Sequence, residues 1–555
     1  MPHQSFSLQE RYPACHRLLS PDSWSALTKV PVEIPAKTSE VTADAFPGHV
    51  AASIENLNLP PYLGALAELE AAGHRCGQAR NHAHGGSMAA GSVRRKQLNP
   101  TLAILELPWT GLVPFLDAQA SHLPVPQMAR ETILIWLDPL TETVRYQVAD
   151  PAVLTALKIV EEGVHIGEAA LAYVVPVASL HRIVDQAVTK GLVLSPPSRL
   201  QRDPALLPSG EKNFERFSRA RVFTLQWHIT QACDLHCRHC YDRTDRGQLT
   251  PKQAYFVLDE LERFCRTRQV RAKVTFTGGN PLLYPHFDDL YLETVKRGFP
   301  VSILGNPASK QRLERLVAIQ TPMVYQLSLE GLREHNDYIR QEGYFDRVMA
   351  FLPLLRELGV PSQVMLTLTR ENMDQVLPLG HALRGLTDMF TFNRLSAVGQ
   401  GAALLMPAPE DYQAFLRDYL RQCRTNPVLG LKDNLINIIR AENGKKPFGG
   451  CTGFGCGAAF NFLTLLSDGE IHACRKFPSP LGNIFAQGLE ACYDTPAGTA
   501  YRAGSAACRG CKLFASCGGC QAVVSSLGLD PHVHRDPYCF FTAAPKHHSG
   551  VDMAP

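Results

Sequence analysis

Several things are scarce in this sequence. Its 555 residues contain no apolar run long enough to span a bilayer; the most apolar stretch, Ala169 to Leu180, is too short and is interrupted by Pro176. The start, MPHQSFSLQE, lacks a charged stretch followed by an apolar one, so no secretory signal is expected and the protein reads as soluble and cytoplasmic. Charge of one sign is also lacking: 55 Lys and Arg face 52 Asp and Glu. That balance gives no support for a nucleic-acid or membrane surface. Cysteine is nearly missing from the first 230 residues, which hold only Cys15 and Cys76.

Cysteine is abundant in the remainder. Of sixteen in all, three fall within eight residues near position 237, and nine lie between Cys451 and Cys539. In a reducing compartment such clusters are ligands or reactive thiols more often than disulfides.

Six regions follow from composition and periodicity. Residues 1–125 carry no legible function. Within them GHRCGQARNHAHGGSMAAGS, around Cys76, reads as a flexible loop; His74, Cys76, His82 and His84 form a weaker metal-site alternative, since no second pair of ligands lies nearby. Residues 126–200 read as a winged-helix-like unit, with strands at Thr132–Leu137 and Val144–Val148 and three helical segments after them. Its last helix, LHRIVDQAVTKG, is poor in exposed basic groups, which favours a protein or peptide partner over DNA. A Pro- and Ser-rich linker occupies 201–215. Residues 216–406 alternate strand and helix six times, which predicts α/β architecture: a partial (β/α)6 TIM-like barrel with its chemistry at the C-terminal strand ends. A helical bridge (407–446) leads to a Cys-rich region at 447–545.

The segment ITQACDLHCRHCYDR follows the first barrel strand and places Cys233, Cys237 and Cys240 on the loop at its end. Three thiolates can hold three irons of a cubane and leave the fourth open to a chelating ligand. Spacings of four and three also fit one face of a buried helix, but Gln231, Asp234, His236, Arg238 and His239 are too polar for a core. A zinc knuckle is a further alternative, although it ordinarily has a partner pair close by.

This motif resembles the signature of the radical S-adenosylmethionine (SAM) superfamily. The resemblance covers roughly residues 220–400. It implies a SAM-binding [4Fe-4S] cluster on the three cysteines, reductive SAM cleavage to a 5′-deoxyadenosyl radical, and Tyr241 near the adenine. Gly278, Gly279, Asn280 and Pro281 stand where the family has Gly-Gly-Glu-Pro, with glycines expected to let backbone approach the SAM amine. Asn280 departs from the pattern: an amide oxygen accepts a hydrogen bond but carries no charge. QLSLEGLREHNDYIR resembles the family's Ser-Leu-Asp-Gly run, implying Ser328, and less directly Arg340, as SAM contacts.

The late cysteines resemble the SPASM domain that follows such barrels in peptide-modifying enzymes. By that resemblance two auxiliary [4Fe-4S] clusters are implied, one on Cys451, Cys456, Cys474 and Cys520, the other on Cys508, Cys511, Cys517 and Cys539. CGGC departs by one residue from the family's spacing between its third and fourth late cysteines. Two zinc ribbons remain an alternative from spacing alone. Cys265, Cys423 and Cys492 receive no role.

The 126–200 unit resembles the domain that captures a leader peptide as an added strand in peptide maturases. Together these features imply a maturase acting on a ribosomally made precursor peptide, with a flavodoxin- or ferredoxin-type electron donor and no nucleic-acid or membrane partner. A narrower resemblance, on TFTGGNPLLYPHF and FTFNRLSAVGQGA, is to selenobiotic or thio(seleno)oxazole peptide maturases. Two fully ligated auxiliary clusters would carry electrons, so a net oxidation such as a crosslink or ring is expected. A maturase of Cys or Ser in a larger protein and a non-enzymatic metal-binding scaffold are the competing readings.

Overall fold

The computed structural model describes residues 7–31, 38–83, 93–207 and 215–541. Backbone proximity divides the chain into two units, Met1–His165 with Ser179–Pro197, and Ile166–Ala178 with Ser198–Pro555. Among the described residues no helix is long and apolar enough to cross a membrane.

The first unit is built on the helix Leu63–Ala83. Leu63, Leu66 and Ala67 pack into one apolar cluster with Tyr12 and Phe46, while Leu69, Ala72 and Cys76 pack into a second with Ile133 and Ile135. Glu70, 5% exposed, accepts hydrogen bonds from the backbone N–H groups of Ala14 and Cys15 and so caps the helix Pro13–Leu18. The stretch expected to be a loop is therefore helical as far as Ala83, and Cys76 is a core residue. Gly73 and Gly77, which suggested a loop, sit one turn apart on the helix: a Cβ at Gly73 would overlap the Tyr146 hydroxyl, and one at Gly77 would touch Val144. Glycine here lets a sheet approach the helix. His84, and the side chain of His82, lie outside the described residues.

That sheet has three antiparallel strands, β1 (Ala103–Thr110), β2 (Gln127–Leu137) and β3 (Val144–Val148), in the order β1-β2-β3. The hairpin β2–β3 matches the expected pair of strands. β1 precedes residue 126 and escaped the sequence pattern because Pro108 and a register shift between Leu107 and Trp109 break its alternation. Helices Pro151–Glu161, Ile166–Ala172 and Val177–Thr189 follow.

The second unit carries six parallel strands: β4 (Val222–Thr230), β5 (Arg271–Gly278), β6 (Val301–Leu304), β7 (Val324–Ser328), β8 (Ser362–Leu368) and β9 (Met389–Arg394). They lie in sequence order, as successive strand–helix–strand crossovers dictate. The helix Pro251–Arg268 shows how the sequence sets these crossovers. Thr250 and Gln253 form a capping box at its start, Gln269 ends it in the left-handed conformation, and Ala254, Val257, Leu258, Leu261 and Phe264 are buried on one face. The sheet does not stop at β4. β10 (Phe462–Leu465) adds parallel to it, pairing Leu463 with Leu225, and β11 (Glu470–His472) and β12 (Pro480–Asn483) continue antiparallel. The Cys-rich region thus shares the barrel's sheet.

Candidate functional site

The loop after β4 bears Cys233, Cys237 and Cys240, all free thiols and all partly buried. Its path is fixed by β5. The N–H of Gly279 donates to Thr230 O at 2.8 Å and that of Asn280 to Ala232 O at 2.7 Å. A Cβ at Gly278 would lie 2.3 Å from Thr230 O, and one at Gly279 2.2 Å from Ala232 O. Glycine is required at both positions so that the end of β5 can press against the backbone of the cysteine loop. Both glycines also line a cavity of about 170 Å³.

Asn280 has a different place from the one expected of a SAM contact. It is 5% exposed and is not among the residues lining the cavity. Its amide nitrogen donates to Asp234 Oδ1 at 3.0 Å, and its oxygen accepts from Leu282 N. Asp234 also accepts from Asn306 Nδ2 at 2.6 Å and pairs with Arg347. Burial acts to raise the Asp234 carboxyl, but these hydrogen bonds outweigh it and hold it below the ordinary range. Pro281, likewise outside the lining, opens the short helix that follows.

Tyr241 and Ser328 do line the cavity. The Tyr241 hydroxyl lies 3.0 Å from His228 Nε2, and burial lowers His228 to about 3, so this imidazole is neutral. Arg340, a cavity residue, donates through Nε to Glu330 at 3.0 Å and points Nη1 at Cys237 Sγ, 3.7 Å away. Glu330 is 1% exposed and also accepts from Thr367 N at 2.7 Å. Burial pushes its carboxyl upward, yet the charges of His239 and Arg340 prevail and keep it low. A guanidinium is thereby fixed beside one of the three sulfurs.

The late cysteines gather in two sets. Cys451, Cys456, Cys474 and Cys520 line one cavity, of about 60 Å³, and Cys508, Cys511, Cys517 and Cys539 line another, of about 30 Å³. All eight are free thiols. Their surroundings suit iron–sulfur ligation. Burial raises Cys456 to about 11, Cys474 to about 12 and Cys517 well above its ordinary range, so each is a neutral thiol unless a bound cation displaces its proton. Backbone N–H groups two residues on point at the sulfurs of Cys233, Cys456, Cys474, Cys517 and Cys539, from Leu235, Ala458, Lys476, Gly519 and Phe541. Such donors stabilise cluster thiolates and tune their potential. Among the described residues no three His, Cys, Asp or Glu side chains converge as a single metal ion requires. A cubane spreads its thiolates over separate irons. Of the leftover cysteines, Cys265 and Cys492 are buried in the core and Cys423 is partly buried.

One functional group was not foreseen. Arg394, at the end of β9 and 1% exposed in its side chain, donates through Nε to Asp433 at 2.9 Å and through both terminal nitrogens to Asp536. Asp536 in turn accepts from Cys520 N at 2.9 Å, and its carbonyl accepts from Cys539 N. Asp536 thus joins a residue of each late cysteine set to the barrel, Cys520 through its carboxylate and Cys539 through its backbone carbonyl. The only signal for it is an acid three residues before Cys539, in DPYC.

Residues 227–382 match the family model of the Radical SAM superfamily, so the chain carries a radical SAM domain and, with it, the use of SAM and a [4Fe-4S] cluster. The chain is 28% identical over 362 residues to the mycofactocin maturase MftC of Mycolicibacterium smegmatis, covering 60% of this chain and 86% of that one. It is 22% identical over 354 residues to an AdoMet-dependent heme synthase of Methanosarcina barkeri, covering 58% and 97%. Among solved structures, SuiB of Streptococcus suis superposes with a TM-score of 0.48 at 17% identity, covering 74% of this chain and 96% of that one.

Proposed function

We propose that this chain is a radical SAM maturase that oxidatively modifies a ribosomally made precursor peptide, forming a crosslink or a ring. One observation carries the reading: three groups of free thiols occupy three separate places, one on the loop beside the cavity that Gly278 and Gly279 line and two around cavities of their own. Cys233, Cys237 and Cys240 hold the SAM-binding [4Fe-4S] cluster, and the two late sets hold auxiliary [4Fe-4S] clusters. When bound, the first cluster and SAM supply a carbon radical able to take hydrogen from an unactivated carbon.

The chain's own residues do the rest. Gly278 and Gly279 let β5 fix the cysteine loop, and Asn280 locks that loop through Asp234. Tyr241 and Ser328 give the SAM cavity two of its walls. Arg340 sets a positive charge against the Cys237 sulfur, which favours the thiolate. Four thiols in each late set leave no iron open to substrate, so these clusters pass electrons onward and the net reaction is an oxidation. A flavodoxin- or ferredoxin-type protein supplies the electron that starts the reaction. The similarity to a mycofactocin maturase supports maturation chemistry. The β1-β2-β3 sheet, whose edges β1 and β3 each pair with β2 alone among the described residues, suits capture of a leader as an added strand.

Anaerobic reconstitution tests this reading. About twelve irons per chain, four for each cubane, and release of 5′-deoxyadenosine under reductant are expected. Coexpression with short peptides encoded beside the gene is expected to give a product lighter by the mass of two hydrogens. Zinc in place of iron with no SAM turnover would overturn the enzyme reading; a product of unchanged mass would overturn the oxidation.

A further inference from the structure

The cavity beside the cysteine loop is lined by four cations, Arg340, Arg394, Arg475 and Lys476, and by no carboxylate. Two of these are neutralised from outside it: Arg340 by Glu330, Arg394 by Asp433 and Asp536. The other two have no carboxylate partner among the described residues. Lys476 donates to Arg394 O at 2.7 Å and also lines the cavity of Cys451, Cys456, Cys474 and Cys520, together with Lys432. A cubane held by four thiolates carries net negative charge, so Lys432 and Lys476 have an electrostatic counterpart there. Arg475 does not line that second cavity. Its charge acts on His228 and Tyr241, both neutral groups, lowering His228 further, and on Lys432. Arg340 and Arg394 sit against acids; the Arg475 guanidinium lines the cavity without one among the described residues.

Resting on the radical maturase reading, we infer that Arg475, with Lys476 beside it, is a recognition site for a substrate carboxylate, placed between the SAM cavity and the nearer auxiliary cluster. A guanidinium offers a planar pair of donors that matches a carboxylate, and a cavity wall without competing acids leaves that pair available. The peptide is therefore one whose reacting segment carries an anionic group, either an Asp or Glu side chain or the chain's own C-terminal carboxylate. Bound there, the anion fixes the register of the peptide between the site of hydrogen abstraction and the site of electron removal.

Equilibrium dialysis of the reconstituted full-length protein, without SAM and then saturated with it, tests this with three labelled probes. N-acetyl-aspartate α-amide presents a side-chain carboxylate, N-acetyl-alanine a terminal one, and N-acetyl-alanine amide none. At least one anionic probe is expected to bind about tenfold more tightly than the neutral one, and whichever binds identifies the source. Arg475→Gln is expected to remove that preference and Arg475→Lys to restore part of it. Equal binding of all three probes, binding of none, or an undiminished preference in Arg475→Gln overturns the inference; so does loss of anion binding on adding SAM, which would assign Arg475 to the SAM carboxylate. Release of 5′-deoxyadenosine by the wild type without peptide reports on the maturase reading separately, so a chain that cleaves SAM but ignores the probes loses only this inference.

Discussion

The cysteine loop after β4 and the two late cysteine sets solve opposite problems with the same side chain. The loop has three thiols, borders the cavity lined by Tyr241 and Ser328 and is held by polar side chains: Asp234, Asn280 and Asn306 on one side, Arg340 and Glu330 on the other. Each late set has four thiols that close around a cavity, and the N–H groups aimed at the sulfurs come from the backbone itself. A site that must leave one iron open cannot be fixed by its ligands alone and needs an external frame. A site that ligates every iron is framed by its own loops. The difference teaches where substitutions should abolish chemistry and where they should loosen structure.

The largest effect should come from Cys237→Ala set against Cys517→Ala. The first removes the thiol beside Arg340 that we propose as a cluster ligand and is expected to abolish 5′-deoxyadenosine release. The second is expected to leave SAM cleavage measurable while lowering iron by about four per chain and stopping peptide product. Equal loss of SAM cleavage in both would erase the distinction between the two regions. Next is Asp536→Asn. The Arg394–Asp536 pair is buried on both sides, and removing one charge from such a pair costs roughly 3–5 kcal/mol. Denaturant unfolding is expected to show that loss, with iron falling first in the set of Cys520, whose N–H the Asp536 carboxylate accepts, while the backbone carbonyl that accepts from Cys539 N is left in place.

A smaller effect concerns the frame of the SAM cavity and appears as pH dependence. Burial lowers His228 to about 3 from an ordinary value near 6.5. The folded chain therefore binds this proton less readily than the unfolded one. Stability from His228 is complete above about pH 6.5 and declines as pH falls from there towards about 3, with a slope of up to about 1.4 kcal/mol per pH unit. His228→Gln is expected to flatten the stability profile in that window; an unchanged slope would mean that other groups set it.

The parallel strands were legible because buried strands are nearly continuous apolar runs separated by helices with clear faces, and the candidate cluster cysteines because their spacing is dense and their neighbours polar. The strand β1 was not, since Pro108 and a bulge hide its alternation. Gly73 and Gly77 read as loop residues because a sequence shows the absence of a side chain but not the Tyr146 and Val144 that fill the space. Arg394 was illegible for a similar reason: its partners lie 39 and 142 residues away, and no local pattern marks a buried ion pair. The Gly-Gly motif was located by resemblance, but its packing role came from the backbone of residues 230–232.

Asn280 gives the finest test of the comparison, because it stands where the resembling family has Glu. Were its role to contact the ligand directly, Asn280→Glu would strengthen SAM binding. The structure places its amide against Asp234, inside the frame of the cysteine loop, so a carboxylate there would face another at hydrogen-bond distance. Asn280→Glu is therefore expected to weaken the loop by about 1–3 kcal/mol, the cost of losing a hydrogen bond to a charged group. Iron at the first cluster should become easier to remove with a chelator, while the late sets keep theirs. Asp234→Asn in the same chain should restore retention, since an amide can donate to the new carboxylate. If Asn280→Glu instead tightens SAM binding without loosening iron, position 280 reaches the ligand after all, and the loop is framed by Asn306 and Arg347 alone.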